Sequence, residues 1–205
     1  MMTILVTGFE PFGGEVINSS WEAVRRLNGD MGDVRVESLL VPTTYESSIG
    51  TVTATIDRLH PDAVVMVGQA GGRAELSIER VAVNCDDAQA PDNAGILRED
   101  APIVSQGPTA YLATLPVKHI VAGLRSAGFP AVVSSTAGLF VCNHVFYGVL
   151  NHIVTHNLDT QAGFVHVPFL PEQVVDKPGT PSMSLDMIVA ALDAIVAFLA
   201  SGARA

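Results

Sequence analysis

One cysteine, Cys142, lies in the segment STAGLFVCNHVFYGVLNHIV (residues 135–154), where an apolar run meets a predicted helix. The unpaired N–H groups and positive potential of a helix N-terminus favour a thiolate, and they could hold the oxyanion of a tetrahedral intermediate. Free cysteine is, however, among the most frequently buried residue types. The residues alone therefore favour an inert, buried Cys142 over a nucleophile.

A cysteine nucleophile needs a base, and His166 is the candidate among the six histidines. It lies in GFVHVP, near the end of a predicted central strand, where it would face the crevice at the carboxyl ends of the strands. His144 is only two residues from Cys142, so helical spacing turns its side chain away from the thiol. The remaining four are predicted to lie on the surface: His60, His119, His152 and His156. Taken alone, a buried core histidine explains His166 as well as a catalytic base does.

The third member of such a set would be a carboxylate that orients the imidazole. Glu79 interrupts the apolar pattern of LSIERVAVN (residues 76–84), and a carboxylate within a strand needs a partner. Arg80 points to the opposite face of the strand, so it is not automatically that partner. Without further information, an ordinary exposed strand residue is the favoured interpretation of Glu79.

Strands and helices alternate along the chain. Short apolar or β-rich runs predict strands at TILVTGF, VRVESLLV, AVVMVG, LSIERVAVN, PAVVSSTAG and GFVHVPFLPEQ. Helical spacing predicts helices at SSWEAVRRL with a serine N-cap, SSIGTVTATIDRLHPD stopped by Pro61, VKHIVAGLRSAG, the segment after Cys142, and SMSLDMIVAALDAIVAFLA capped by Ser182 or Ser184. The alternation predicts an α/β sandwich with a largely parallel or mixed sheet, in one domain covering residues 1–205.

Glycine-rich turns and one long loop give weaker signals. The turns TGFEPFGG and GQAGGR match neither the P-loop nor the dinucleotide fingerprint, and we interpret them as tight turns. Between about Asn84 and Pro116 the chain is rich in Pro, Gly, Asp and Asn, and loops of this length tend to be functional or mobile. The CDD run at 85–87 lacks further ligands at metal-site spacing, so no metal site is predicted.

Composition indicates a soluble, cytoplasmic, globular protein. Hydrophobic residues make up 48% of the chain, but its apolar runs are far shorter than the roughly 20 residues needed to cross a bilayer. A net charge of −10 without a Lys/Arg stripe argues against nucleic acid as a partner. The start, MMTILVTGFEPFGG, fits a first strand rather than a signal peptide, and two cysteines without a framework pattern indicate free thiols in a reducing compartment.

Taken together, these stretches resemble the pyroglutamyl-peptidase type I (pyrrolidone carboxyl peptidase) family from end to end. The resemblance is carried, in order, by VTGFEPFGG with NSSWEAV, GQAGGRAELSIERVAVN, PDNAG, STAGLFVCNHVFYGVL and FVHVPFLPEQ. It implies an α/β/α sandwich with a twisted mixed sheet, and a cytosolic homotetramer that uses neither metal nor cofactor. It also implies removal of an N-terminal pyroglutamyl (5-oxoprolyl) residue from peptides through a thioester, with Cys142 as nucleophile, His166 as general base and acid, and Glu79 orienting His166.

The resemblance further implies a pocket for the uncharged lactam ring of the substrate. Its apolar walls would be Phe9, Phe12, Phe140 and Val141, and Gln69 would be a polar contact; core packing explains the first two as well. One departure stands out, because this chain reads DAQAPDN where family members usually carry DARIPDN. Gln89 thus replaces an arginine assigned to oxyanion stabilisation, and Ala90 removes bulk beside it. A glutamine amide donates without the charge or fork of a guanidinium, so we expect retained but weakened activity.

The helix start and His166 are expected to favour the thiolate of Cys142, whereas Cys85 is interpreted as a bystander. Two other functions remain open. One is a cysteine amidase for another small cyclic or acyl amide, which Gln89 and Ala90 make plausible. The other is a non-catalytic protein that binds a nucleoside or another small molecule on a similar α/β scaffold. The presence of all three residues of the implied triad counts against a decayed site.

Overall fold

A mostly parallel sheet runs through the middle of the molecule. The computed structural model describes residues 1–27 and 29–202. Within them the strands are β1 (Met2–Phe9), β2 (Gly29–Met31), β3 (Val34–Val41), β4 (Ala63–Gln69), β5 (Leu76–Glu79), β6 (Val81–Val83), β7 (Ala110–Leu112), β8 (Ala131–Ser134) and β9 (Gln161–Val167). Seven of these described strands form one sheet in the order β2-β3-β1-β4-β9-β5-β8, while β6 and β7 form a separate antiparallel pair. In the large sheet, β2 pairs antiparallel with β3 and β5 pairs antiparallel with β9, and the remaining pairings are parallel.

Helices cover both faces of this sheet. They are α1 (Ser19–Val24), α2 (Ser48–Leu59), α3 (Val117–Ser126), α4 (Val141–Thr155) and α5 (Leu185–Ala200), with a short 3₁₀ turn at Pro171–Gln173. Buried residues of α1, α3 and α5 share one core, and those of α2 and α4 share the other. The predicted α/β/α sandwich is therefore confirmed. Among the helices of the described residues, none combines the length and the apolar character needed to cross a membrane.

The alternation of side chains along β4 and β9 decides which strand residues meet α4. Val67 and Val165 belong to the core under α1, α3 and α5, whereas Met66 and Phe164 belong to the core under α2 and α4. Because successive strand residues point to opposite faces, His166 shares the face of Phe164 and therefore lies on the α4 side. Both faces are covered, which explains why these strands are almost continuously apolar.

The N-cap of α1 is Asn18 rather than the serine that we predicted. Its side chain accepts hydrogen bonds from the backbone N–H of Ser20 at 3.0 Å and from the Ser20 hydroxyl at 2.8 Å. Ser20 lies inside the first turn, where its Oγ accepts a bond from the N–H of Phe9. By contrast, Ser184 caps α5 as predicted, accepting from the N–H of Met187 at 3.3 Å.

The segment LSIERVAVN is not one strand, so that prediction was wrong. The chain changes partners at Arg80, whose N–H donates to the carbonyl of Ser134 and whose carbonyl accepts from Ala113. Residues before this point stay in the large sheet, and residues after it pair with β7. Glu79 is consequently the last residue of β5, at the carboxyl end of an inner strand of the large sheet.

The packing of β1 against α1 gives a first testable prediction. A Cβ added at Gly8 would lie 2.9 Å from the Trp21 Cα and 3.0 Å from the Ser20 carbonyl carbon, which are backbone atoms and cannot rotate away. We expect Gly8→Ala to lower the free energy of unfolding by about 1–3 kcal/mol, as overpacking in a core does. Urea denaturation would measure this loss. The matched control is Gly50→Ala in α2, where an added Cβ meets nothing within 4 Å. That change should be neutral or stabilising by about 0.5–1 kcal/mol; equal effects at both sites would contradict the prediction.

Candidate active site

Cys142 is the second residue of α4, so the predicted helix start is correct. The helix begins at Val141 with Phe140 as N-cap, and the Phe140 side chain supplies no capping hydrogen bond. Within the described chain, the backbone N–H groups of Val141 and Cys142 have no acceptor. Such first-turn groups remain available to a carbonyl oxygen that acquires negative charge.

The thiol of Cys142 lies on the same face of the sheet as His166. A Cβ built on Gly68 would come within 2.9 Å of the Cys142 Sγ, so the sulfur rests directly on this glycine. Gly68 pairs in register with His166 across the parallel β4–β9 ladder. Paired residues of neighbouring strands are separated by about 4.8 Å and point to the same side. The sulfur and the imidazole are therefore neighbours over the carboxyl ends of β4 and β9.

Glu79 holds the imidazole from the next strand. In the antiparallel β5–β9 pairing, Ser77 lies opposite His166 and Glu79 lies opposite Phe164, so Glu79 and His166 share one face. The Nδ1 atom of His166 lies 2.8 Å from the Oε1 atom of Glu79, and both side chains are buried. Because a carboxylate only accepts, Nδ1 carries the proton and Nε2 presents its lone pair. The favoured interpretation of Glu79 as an exposed residue was wrong.

Arg73 completes this arrangement. Its Nη1 atom lies 2.7 Å from the Oε1 atom of Glu79, and its Nη2 atom donates to the carbonyl of Thr136 at 3.1 Å. Arg73 belongs to the turn GQAGGR, where the glycines drew attention and the arginine did not. The partner required by a buried Glu79 is thus Arg73 together with His166, and not the adjacent Arg80.

Burial and charge set the protonation states of the pair. Burial by itself raises the pKa of Glu79, but the hydrogen bond and charge of His166, with the hydrogen bond from Arg73, lower that pKa below its ordinary value. Burial lowers the pKa of His166, and the positive charge of Arg73 lowers it further against the opposing effect of Glu79. At neutral pH the pair is therefore a carboxylate and a neutral imidazole that can accept a proton.

The thiol itself departs from expectation. Burial, together with the charge of Glu79 and against the opposing charge of Arg73, raises the pKa of Cys142 to about 12. This direction runs against the expected thiolate, because desolvation disfavours the charged sulfur. At neutral pH, Cys142 is thus a neutral thiol beside a neutral imidazole.

Comparisons with known proteins identify the family. A family model described as pyroglutamyl peptidase matches residues 2–201. The chain belongs to the pyroglutamyl peptidase family. A pyrrolidone-carboxylate peptidase from Chromobacterium violaceum is 53% identical over 193 residues, which cover 94% of this chain and 90% of the relative. One from Yersinia pestis is 50% identical over 194 residues, with the same coverage of 94% and 90%.

Solved structures agree with this assignment. Pyroglutamyl peptidase I from Bacillus amyloliquefaciens is 45% identical and superimposes with a TM-score of 0.91, covering 95% of this chain and 94% of that protein. A mutant pyrrolidone carboxyl peptidase from the hyperthermophile Pyrococcus furiosus is 42% identical with a TM-score of 0.95, covering 99% of this chain and 100% of the other. The resemblance found in the sequence is confirmed over nearly its whole length.

The side chains expected to line the pocket of a pyroglutamyl peptidase fall into two groups. Phe12 and Phe140 are half-buried, and their ring centroids lie 5.8 Å apart. Tyr45, which the sequence analysis missed, meets the Phe140 ring edge-on at 5.8 Å. Tyr45 is itself only 2% exposed, so it packs behind the two half-buried rings. The three rings, Phe12, Tyr45 and Phe140, are called the aromatic wall below. In contrast, Phe9 is only 2% exposed and Val141 is fully buried, so both serve the core beneath the site.

Gln69 is held rigidly at the end of β4. Its Oε1 atom accepts from the N–H of Ser19 and from the Nε2 atom of Gln173, each at 2.9 Å. Gln173 is fixed in turn by the N–H of Leu170, which donates to its Oε1 atom at 2.9 Å. With Oε1 occupied, the Nε2 group of Gln69 has no acceptor within the described residues. The side chain can therefore act as an oriented donor.

Gln89 and Ala90 lie exposed on the long loop, and the Gln89 side chain makes no hydrogen bond within the described residues. The loop nevertheless passes close to the nucleophile, because the N–H of Asp87 donates to the carbonyl of Leu139 at 3.0 Å. It is anchored by Asp92, whose carboxylate accepts from the N–H groups of Tyr45 at 2.8 Å and of Ala94 and Ile96 at 2.9 Å each.

The other histidines and Cys85 lie away from the triad. His60, His119 and His156 are exposed as predicted, but His152 is not, because its Nε2 atom lies 2.7 Å from Asp57 and its side chain is 14% exposed. Cys85 is a free thiol whose Sγ lies 3.9 Å from the Oδ1 atom of Asp100. Among the described residues, no group of three or more His, Cys, Asp or Glu side chains is placed to hold a metal ion.

The charge of Arg73 gives a prediction about His166. Since this charge lowers the pKa of His166, we expect Arg73→Met to raise that pKa and Arg73→Lys to leave it low. An NMR titration of the His166 ring would measure both variants. As the pH is lowered, any activity that depends on neutral His166 should then begin to fall at a higher pH in the Met variant than in the wild type. An unchanged or lowered pKa in Arg73→Met would contradict this assignment.

Proposed function

We propose that the protein removes an N-terminal pyroglutamyl residue from peptides, with Cys142 as nucleophile, His166 as general base and acid, and Glu79 orienting His166. The observation that carries this proposal is the buried 2.8 Å contact between Glu79 and the Nδ1 atom of His166, which leaves Nε2 free beside the thiol. Membership of the pyroglutamyl peptidase family supports the substrate class.

The neutral thiol–imidazole pair defines the order of proton transfers. His166 Nε2 takes the thiol proton while the sulfur forms a bond to the pyroglutamyl carbonyl carbon, and the oxygen acquires negative charge. The N–H groups of Val141 and Cys142 are suited to stabilise that oxygen. The imidazolium then gives its proton to the departing amine, which leaves a thioester. Water attacks the thioester, His166 takes a proton from the water, and the same proton returns to the sulfur as free pyroglutamate leaves.

The lactam ring requires apolar walls and a donor for its carbonyl. We assign the apolar surface that faces the lactam ring to Phe12 and Phe140, with Phe9 and Val141 packed behind them. We assign the donor for the lactam carbonyl to the Nε2 group of Gln69. Support comes from the half-exposed rings of the first two and from the occupied Oε1 atom of Gln69. A ring without charge fits this lining, because a buried site penalises an unpaired charge far more than an uncharged amide.

Hydrolysis of pyroglutamyl-aminomethylcoumarin tests the proposal directly. We expect the reduced protein to cleave this compound and to leave the alanyl analogue essentially untouched. Replacing the nucleophile in Cys142→Ser should reduce kcat by about 10³-fold or more, as loss of a catalytic nucleophile does. Cys85→Ser is the matched control and should retain full activity. Cleavage of other small amides in preference to the pyroglutamyl compound would favour the cysteine amidase instead.

We also propose that Gln89 contributes a weak oxyanion donor. Its position on the loop tied to Leu139 supports a place near the carbonyl oxygen, and its exposure leaves room for a longer side chain. We expect Gln89→Arg to raise kcat, with an upper limit of about 10²–10³, the usual effect of one oxyanion donor. Gln89→Lys is the control, since it adds charge without the fork. An unchanged kcat in Gln89→Arg would show that this position does not limit the rate.

Finally, we propose that residues 1–205 form one catalytic domain that works in the cytoplasm as a homotetramer. The free thiols of Cys85 and Cys142 fit a reducing compartment. The tetramer rests on the resemblance to the pyroglutamyl-peptidase type I family. Light scattering coupled to size-exclusion chromatography should give four times the chain mass of 21.5 kDa. A monomer or dimer at micromolar concentration would contradict the tetramer and leave the chemistry untouched.

A further inference from the structure

His144 is a second buried histidine. It lies two residues after Cys142 in α4 and is not part of the proposed triad. Its Nδ1 atom lies 2.8 Å from the Oδ2 atom of Asp86, and its Nε2 atom lies 3.0 Å from the backbone carbonyl of Tyr45. The ring is only 3% exposed. Both of its nitrogens therefore face oxygen atoms of the protein.

The hydrogen-bond inventory constrains the charge of this ring. A backbone carbonyl can only accept, so Nε2 must carry a proton. An ionised carboxylate also only accepts, so Nδ1 must carry a proton as well. A neutral imidazole has one proton and would place a lone pair against one of the two oxygens. The two contacts together require an imidazolium.

Arg98 supports the ionised form of Asp86. Its Nη1 atom lies 2.9 Å from the same Oδ2 atom, and Asp86 is completely buried. A guanidinium at this distance favours the carboxylate over the acid, which leaves the proton on His144. The cluster thus consists of one buried carboxylate that accepts hydrogen bonds from two cations through the same oxygen atom.

The same cluster holds the aromatic wall. The Arg98 guanidinium lies 4.8 Å from the centroid of the Tyr45 ring, and the His144 ring meets Tyr45 edge-on at 5.2 Å. Tyr45 in turn contacts Phe140, the residue at the N-cap of the nucleophile helix. His144 therefore fixes the Tyr45 backbone while Arg98 covers its ring.

We propose that His144 is a buried imidazolium that positions the aromatic wall of the pyroglutamyl pocket, with one ring nitrogen bound to Asp86 and the other to the Tyr45 carbonyl. This inference rests on the proposed function for the identity of the pocket, although the charge state does not. His144 is a positioning residue, because it contacts Tyr45, and Tyr45 in turn packs behind the half-buried Phe140 ring. The two buried histidines of the site consequently differ in charge: His166 is neutral and His144 is positive.

Nitrogen-15 NMR of the histidine rings at neutral pH tests the charge state without any substrate. We expect two protonated nitrogens for His144 and one for His166. A single protonated nitrogen on His144 would overturn the proposal. His144 Nδ1 and Arg98 Nη1 share the Oδ2 atom of Asp86, so an amide nitrogen at that position in Asp86→Asn can donate to a neutral Nδ1 only if the partly exposed Arg98 turns away. His144 should then become neutral and keep its bond to Tyr45. An imidazolium that persists in Asp86→Asn would also overturn the proposal.

Kinetics test the positioning role. Glutamine has donors on only one nitrogen and cannot satisfy two acceptors on opposite sides, so His144→Gln should release Tyr45. We expect KM for pyroglutamyl-aminomethylcoumarin to rise about tenfold while kcat stays within about twofold, because the triad is untouched. Asp86→Asn should keep KM within about twofold of the wild type, since its neutral hydrogen bonds replace the charged ones. His119→Gln, an exposed change on α3, is the control.

The outcomes separate this inference from the proposed function. A wild type that fails to cleave the pyroglutamyl compound would refute the proposed function, and the NMR result would still decide the charge of His144. An active wild type with an unchanged KM in His144→Gln would refute the positioning role alone. If His144→Gln does not fold, the KM of Asp86→Asn decides: a value within about twofold of the wild type is expected, and a rise of about tenfold would overturn positioning by the two-ended hydrogen bonding.

Discussion

The buried hydrogen bond between Glu79 and His166 is the constraint on which the site depends. A carboxylate without solvent contact is costly unless charge and hydrogen bonds compensate it, and here His166 and Arg73 both bind the same oxygen, Oε1. The bond requires β5 to run antiparallel to β9, since this pairing brings Glu79 diagonally beside His166 on one face. The change of partners at Arg80 then ends β5 at Glu79. The local topology of the sheet thus places Glu79 where its carboxylate can accept a hydrogen bond from His166.

Desolvation, rather than ion pairing, governs the chemistry at rest. It lowers the pKa of His166 and raises the pKa of Cys142 to about 12, so the proton stays on sulfur until substrate arrives. A buried thiolate would need a permanent positive partner, and a neutral His166 does not provide one. The start of α4 can contribute most when the oxyanion forms, because its free N–H groups then meet a charge that the resting site lacks. Storing the nucleophile as a thiol also limits its reactions with oxidants, which attack the thiolate.

The predictable features of this protein follow from periodicity, and the missed ones depend on which side chains the fold brings into contact. Periodicity located the helix start at Cys142 and the strand of His166, because both depend on nearby residues. Arg73 was missed, since its partner Glu79 lies across a turn and the glycines of GQAGGR suggested only a bend. The thiolate expectation failed because the helix-start field is visible in sequence whereas the burial of the sulfur on Gly68 is not. The family resemblance pointed to the three triad residues. Only the fold shows how His166 and Arg73 compensate the buried charge of Glu79.

In the long loop, the residues that anchor it differ from the residue proposed to take part in the chemistry. Asp86 and Asp92 tie it to α4 and to the Tyr45 segment, and both carboxylates are almost completely buried. Gln89 lies between these anchors but is exposed and contributes no hydrogen bond to them. A change at this position can therefore alter charge near the carbonyl oxygen without loosening the aromatic wall. Asp86 belongs to the anchoring residues, and a substitution there leaves the free N–H groups at the start of α4 in place. The packing of Tyr45 and the anchors of the loop therefore do not depend on the residue at position 89.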